Sequence, residues 1–382
     1  MKIRFDKEGC IETFGKLVND LQVEEDVLGL MVLASDENGW TPEIVDPILQ
    51  ACSIPVFGGI FPQIIYEQQN YEKGTIVIGL PKHPDVLIIS GLSDPDAEHE
   101  MQLEEYADSW IDTEEECTLV VFVDCLSKRI SELVQSLFFT LGLEQNFIGG
   151  GAGSLSFRQK PCVITPEGLQ KDVAVLARLP MPSGVGVAHG WLPISKGMKV
   201  TESERNVIKS LEWRPAFEVY RELVEADSGL TFRDENFFDI AKCYPFGITK
   251  HGTEMVVRDP LMVDDHSGMV CVGEVPQGCF VKILTGTQDS LVAAAGRARQ
   301  LAEESFPDAQ KGNEMAFFID CISRVLFLGD GITEEIRTAA ANRSLFGALT
   351  LGEIANNGQD YLEFYNKTAV LCLLGVSHES SG

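Results

Sequence analysis

The chain lacks the features that mark a membrane-spanning, secreted or zinc-binding protein. No apolar run approaches the roughly 18 residues that a membrane helix needs. The N-terminus, Met1 to Glu8, has no apolar segment followed by a cleavage site, so it is not a secretion signal. The ten cysteines form no Cys-x-x-Cys pair and no spacing that repeats with histidine, which disfavours both a zinc site and a disulfide framework. We therefore expect a cytoplasmic protein without metal, cofactor or membrane contact.

Basic charge is also scarce. Lys and Arg number 30 against 58 Asp and Glu, a formal net charge of −28. This charge repels nucleic acid, and the basic stripe that phosphate binding requires is absent, so we expect no nucleic-acid partner. No Lys or Arg stands between Lys82 and Lys128, and residues 94–116 hold eleven carboxylates. That segment is either a solvated surface with one amphipathic helix or a docking patch for a basic partner.

A stretch near the C-terminus repeats one in the middle of the chain. At a gap-free offset of 196 positions, the matched pairs are Phe122 with Phe318, Asp124 with Asp320, Cys125 with Cys321, Ser127 with Ser323, and Gly151 with Gly347. Similarity at one offset across a strand, a helix and a glycine turn indicates a duplicated unit. A fainter copy precedes both, because residues 29–80 show the same order of strand, helix, glycine-bearing strand and strand.

These patterns predict an α/β (α+β) fold of two pseudo-equivalent halves, with mixed sheets covered by helices. The adjacent strands that follow each glycine turn argue against purely parallel sheets. We expect an N-terminal helix or extension over 1–26 and domains over 27–205 and 206–382. The polar stretch 201–210 marks the predicted boundary.

Several segments resemble the FIST (F-box and intracellular signal transduction) family over residues 27–375. Phe-Ile-Asp-Cys-Ile-Ser-Arg (318–324), then Gly-x-x-Thr-x-Gly-Glu-Ile (347–354) and Asn-x-Thr (366–368), are similar to the C-terminal FIST domain. Gly-Gly-Gly-Ala-Gly (149–153) after a Phe-Val-Asp strand resembles the N-terminal one, and Arg-Pro-Ala-Phe-Glu-Val-Tyr (214–220) is similar to the helix that opens the C-terminal one.

The resemblance implies a sensory module of intracellular signalling that binds small molecules such as amino acids. Relatives are joined to histidine-kinase, chemoreceptor or cyclic-nucleotide output modules, or to an F-box. We expect this chain to signal through a separate partner of the kinase, chemoreceptor or cyclase type. The aromatics usual in the glycine segment are Ala348, Leu349 and Leu351 here, which implies a wider or differently selective pocket.

The family pattern implies a set of ligand-binding positions in the second copy. They are Cys321, Arg324, Gly347, Thr350, Gly352, Glu353, Asn366 and Thr368. The guanidinium of Arg324 suits a carboxylate and Glu353 suits an ammonium, so the pair can hold the two ends of a zwitterion. Alternatively, the two side chains pair with each other as structure.

Further candidates lie in the first copy. Gly150 and Gly151 lack the spacing of a phosphate-binding loop and more readily allow the chain to bend at the rim of a pocket. Asp124 either binds ligand or hydrogen-bonds the following turn. His189 is predicted to be either a pocket residue or a hydrogen-bonded core histidine.

Three classes of function remain open from the residues. The leading hypothesis is a non-catalytic small-molecule sensor. A second is a cysteine-dependent enzyme with Cys321 or Cys125 as nucleophile, although no histidine stands between residues 267 and 377. The third is a scaffold that binds a protein partner through the acidic segment.

Overall fold

The computed structural model describes residues 1–111, 116–142, 145–250, 255–308, 312, 314–357 and 361–375. The polar tail after Gly375 and residues 112–115 of the acidic segment lie outside these ranges. Among the described residues, no helix is both long and apolar enough to cross a membrane.

Three units of one topology build the fold, with the order strand, helix, strand, helix and four strands; in the third unit two helices take the place of the second helix. The first unit contains β1 (Lys2–Asp6), α1 (Ile11–Gln22), β2 (Gly29–Ser35), α2 (Pro42–Leu49), β3 (Val56–Phe61), β4 (Gln63–Tyr66), β5 (Gln69–Tyr71) and β6 (Thr75–Leu80). The second contains β7 (Asp85–Ser90), α3 (His99–Ile111), β8 (Thr118–Asp124), α4 (Ile130–Leu141), β9 (Asn146–Ala152), β10 (Val163–Thr165), β11 (Gly168–Gln170) and β12 (Val173–Leu179).

The third unit begins with β13 (Ser183–Ala188) and is interrupted by an insertion, residues 192–285, that forms a fourth sheet. The insertion contains β14 (Leu192–Pro193), β15 (Met198–Glu204), β16 (Val207–Leu211), β17 (Arg214–Pro215), α5 (Ala216–Ser228), α6 (Phe237–Ala241), β18 (Phe246–Ile248), β19 (Val256–Arg258), β20 (Pro260–Val263), β21 (Met269–Cys271) and β22 (Phe280–Thr285). The unit resumes with α7 (Gln288–Ser305), β23 (Glu314–Cys321), α8 (Ile322–Leu328), α9 (Ile332–Ala340), β24 (Leu345–Thr350), β25 (Glu353–Asn357), β26 (Glu363–Tyr365) and β27 (Ala369–Gly375).

Each unit forms a six-stranded mixed sheet that is completed by a hairpin from another unit. The three strand orders are β1-β6-β2-β3-β10-β11, β7-β12-β8-β9-β25-β26 and β13-β27-β23-β24-β4-β5. Only the central pairs β2/β3, β8/β9 and β23/β24 are parallel within these orders. The first unit gives its hairpin to the third, the third to the second, and the second to the first.

This closed cycle of exchange confirms the mixed-sheet α/β class and the internal repeat. It also shows that the faint N-terminal copy is a full third unit, and that residues 1–26 supply its first strand and helix. The predicted boundary between residues 205 and 206 falls in the turn between β15 and β16. The largest apolar core runs through all three units and the insertion, because the central strands are apolar on both faces.

Glycine allows the parallel strands to lie close together in all three units. An added Cβ would lie 1.9, 1.7 and 1.8 Å from the carbonyl oxygen of the neighbouring strand at Gly58, Gly149 and Gly347, respectively. No side chain fits such a position. The three glycine-bearing strands β3, β9 and β24 also contact one another, so the glycines lie where the units meet.

The strand register corrects one detail of the sequence repeat. Gly149 faces Val121 and Gly347 faces Phe318 in the parallel ladders, so the counterpart of Gly347 is Gly149 rather than Gly151. Because neighbouring strand residues point to opposite faces, a shift of one residue exchanges the faces. The predicted equivalence of Asp124 and Asp320 is therefore wrong.

Candidate functional site

A cavity of about 350 Å³ lies between the second unit, the third unit and the insertion. One wall is the segment 125–131, which leads into α4, and a second is the segment 321–326 at the start of α8. The insertion supplies residues 205–206, 259–261 and 271–274, and residues 364–366 close the remaining side. The site therefore depends on three parts of the chain that are far apart in sequence.

Two of the predicted site residues, Cys321 and Asn366, line this cavity. Cys321 is 4 % exposed, and its Sγ accepts a hydrogen bond from Ser323 Oγ at 3.0 Å. Burial raises the pKa of the Cys321 thiol well above its usual value, and the nearby Glu353 carboxylate adds to the rise. The half-buried Cys125 also lines the cavity, and burial raises the pKa of its thiol as well.

Glu353 lies behind this wall and is fully buried. Its Oε2 accepts from the Thr368 backbone N–H at 3.2 Å, and its Oε1 lies 3.2 Å from Thr350 Oγ1. Burial raises the pKa of Glu353 to about 8, although hydrogen bonds from Cys321, Thr368 and Thr350 oppose the rise. The structure thus brings four predicted residues together as one buried cluster rather than as an open site.

Arg324 lies in the segment 321–326 but is not itself among the described residues that line the cavity. Its side chain is fully buried, with Nε 3.1 Å from Asp320 Oδ1 and 2.9 Å from Glu335 Oε1. It also donates to the main-chain carbonyls of His189, Lys367 and Leu291. Among the described residues, Arg324 therefore pairs with Asp320 and Glu335 rather than with Glu353, the protein partner that the sequence suggested.

The remaining predicted residues have structural contacts. Asp124 accepts from the backbone N–H of Leu126 at 3.1 Å and of Asp172 at 2.7 Å, which is the turn-stabilising alternative. Gly150 lies within β9, and the Gly151 N–H donates to the Gly352 carbonyl at 2.8 Å, where β9 meets β25. Gly347 faces β23, so these glycines serve close strand packing.

The surroundings of Cys125 and Cys321 do not favour a cysteine nucleophile. A reactive cysteine needs a lowered thiol pKa, whereas burial raises the pKa of both Cys125 and Cys321. His189 accepts from the Trp191 N–H at 2.8 Å and is a core histidine; burial lowers its pKa to about 4. Within the described ranges, no three His, Cys, Asp or Glu side chains are grouped to hold a metal ion.

Two buried residues that line the cavity, Asp259 and Asn366, each have an acceptor oxygen that the described part of the chain leaves without a donor. Asp259 is 5 % and Asn366 is 1 % exposed. Asp259 Oδ1 and Asn366 Oδ1 have no hydrogen-bond partner among the described residues. The other carboxylate oxygen, Asp259 Oδ2, lies 3.1 Å from Nζ of the fully buried Lys367. Burial raises the pKa of Asp259, and the Lys367 ammonium opposes that rise.

The cavity also contains two exposed cations, Lys128 and Arg205. Arg205 lies in the β15–β16 turn at φ +51°, and its charge acts on Glu274, which is partly buried in the same wall. Acceptors thus lie in the buried part of the cavity, and cations lie in its exposed part. The sequence reasoning missed Asp259, Arg205 and Glu274, because no motif or spacing marks them. It also did not assign Lys128 to the site, although Lys128 falls on Arg324 at the offset of 196 positions.

The structure defines a class of protein, an internally repeated mixed-sheet α/β protein with a cavity where its units meet. The chain belongs to the FIST family: the model of the FIST N domain matches residues 28–214 and that of the FIST C domain matches residues 216–356. FIST domains are sensor domains of signal transduction. No curated protein matches the chain.

Proposed function

We propose that this chain is a sensor whose cavity binds a small molecule with an ammonium group, amino acids being the first class to test. The observation that carries the proposal is a pair of residues in the cavity wall, Asp259 and Asn366, each of which has a buried Oδ1 without a hydrogen-bond partner among the described residues. A buried acceptor without a partner costs about 1–3 kcal/mol, more if it is charged. A ligand ammonium supplies the missing donors and recovers that cost.

The charge of the protein favours the same class of ligand. A formal charge of −28 attracts cations and repels anions at low ionic strength. Within the cavity, Lys128 and Arg205 provide the only basic side chains among its described lining residues. We infer that they hold the carboxylate of an amino acid whose ammonium lies against Asp259 and Asn366. Signal output then passes to a separate partner of the kinase, chemoreceptor or cyclase type.

Calorimetric titration with three matched ligands tests the assignment. L-Alanine carries both charges, propylamine only the cation and propionate only the anion. We expect alanine to bind more tightly than propylamine, and propionate to bind least. Asp259→Asn should weaken binding of alanine and propylamine about 10–100-fold, because a charge-assisted hydrogen bond contributes about 1.5–3 kcal/mol. Asp239→Asn removes a carboxylate that is 75 % exposed and should leave both affinities unchanged.

Two further variants make the test independent of the stability of Asp259→Asn. Leu326→Trp adds volume at a cavity residue that is 42 % exposed and should abolish binding without unfolding the protein. Arg205→Asn tolerates the positive φ and should weaken alanine but not propylamine. Binding of propionate with no binding of either amine would overturn the proposal, as would unchanged alanine binding in Leu326→Trp.

A further inference from the structure

A second cavity of about 350 Å³ continues from the first along α4. Ser131, Glu274 and Phe364 line both cavities, so the two share walls. Ser131 faces the first cavity near the start of α4, while Val134, Gln135 and Phe138 lie along the second. Residues three, four and seven positions apart lie on one helix face. One face of α4 therefore forms a continuous side of both cavities.

The second cavity differs from the first in chemistry, since it has aromatic walls. Phe138 lies 5.0 Å from the ring of Tyr361, centroid to centroid, and 5.6 Å from that of Phe139. Tyr361 is 60 % and Phe139 is 74 % exposed. Neighbouring exposed aromatic side chains of this kind are typical of binding surfaces. Four charged side chains also line this cavity. Lys250 and Glu363 form an ion pair with each other, Arg258 donates to the main-chain carbonyls of Glu274, Val257 and Phe364, and Glu274 is shared with the first cavity.

We propose that the ligand is an amphipathic ammonium compound: its cationic head occupies the first cavity, and an aromatic tail lies along α4 against Phe138 and Tyr361. This rests on the proposed function, because the head group is the ammonium assigned there. The two cavities share walls, and their lining changes from buried acceptors to aromatic rings. This arrangement favours a ligand that has both a cationic head and an aromatic tail. Aromatic amines and short peptides with a free N-terminus share this chemistry.

Matched ligand pairs test the tail separately from the head. Propylamine is compared with 3-phenylpropylamine in one arm, and glycyl-alanine with glycyl-phenylalanine in the other, each by calorimetric titration. We expect the phenyl group to improve affinity by about tenfold or more in at least one arm, because aromatic contacts add to burial of apolar area. The arm with the larger gain identifies the source as amine or peptide.

Three variants test whether the gain in affinity from the phenyl group arises at the second cavity. Gln135→Trp adds volume at an exposed position on α4, and Tyr361→Ala removes an exposed ring; each should abolish the advantage of the phenyl ligand while propylamine keeps its affinity. Trp213→Ala removes a ring that is 82 % exposed and lies elsewhere on the surface, and should change neither. If propylamine binds but phenyl adds nothing, or if both variants keep the gain, this inference is wrong and the proposed function stands. If no ammonium compound binds, both fail.

Discussion

Nε of Arg324 lies 3.1 Å from Oδ1 of Asp320, and both side chains are fully buried. The same guanidinium donates to Glu335 on α9, so one cation lies between two carboxylates. Burial raises the pKa of Asp320 well above its usual value, and the Glu335 carboxylate adds to the rise. Arg324 thus joins the end of β23 to α8 and α9, which makes it part of the architecture of the third unit.

Replacement of Arg324 by alanine should destabilise the protein by about 3–5 kcal/mol, because it leaves buried carboxylates and carbonyls without their donor. Urea denaturation followed by circular dichroism measures the change. Arg297→Ala is the matched control: its side chain is 52 % exposed and its NH1 lies 3.9 Å from Glu304, so we expect a change within about 0.5 kcal/mol. Wild-type stability in Arg324→Ala would contradict the structural role.

The buried Glu353 should make stability depend on pH. Its pKa in the folded protein is about 8, above the ordinary value of 4.5, so the native state binds more protons than the unfolded state between these values. The free energy of unfolding should therefore fall as the pH rises through this window. The contribution is complete below about pH 4.5 and lost above about pH 8.

Glu353→Gln removes the titrating group and keeps an oxygen for the Thr368 N–H. We expect the difference in unfolding free energy between about pH 5 and pH 8 to be smaller in this variant by on the order of 3 kcal/mol. Glu304→Gln, at a side chain that is 55 % exposed, should retain the wild-type pH profile. Parallel pH profiles of wild type and Glu353→Gln would rule out a raised pKa at this carboxyl.

Local elements were predictable because their signals are local. The apolar spacing of Ile11–Gln22 predicts a helix, and the apolar run Thr118–Asp124 predicts a buried strand. The exchange of hairpins was not predictable in this way. Glu353 pairs with Gly150 across more than two hundred positions of sequence, and no short-range pattern specifies which sheet a hairpin completes.

The site was predictable only in part, for a related reason. The resemblance pointed to Cys321 and Asn366, which line the cavity, because those positions belong to segments with recognisable order. Arg324 was predicted to bind a ligand carboxylate because a guanidinium suits that group. Its contacts with Asp320 and Glu335 form only when the third unit folds and buries all three side chains. Asp259 gives no signal in sequence, since its unpartnered oxygen arises only when the insertion packs against residues 364–367.

A substitution at Gly347 tests whether glycine is required for the close contact between the parallel strands β23 and β24. A Cβ added there would lie 1.8 Å from Phe318 O, and a backbone atom in the middle of a sheet cannot move aside as a flexible side chain can. Gly347→Ala should therefore destabilise the protein by about 3 kcal/mol or more, measured as a lower urea midpoint.

Gly197→Ala is the control for this substitution. The nearest atom to its added Cβ is Phe280 Cδ1 at 4.0 Å, so the change should be neutral or slightly stabilising, because alanine restricts the unfolded chain. The same comparison separates two explanations for Gly347. If it were retained for ligand access, Gly347→Ala would lose ligand binding but keep the wild-type midpoint. A lower urea midpoint together with wild-type ligand affinity of the folded fraction would show that the glycine serves the contact between β23 and β24.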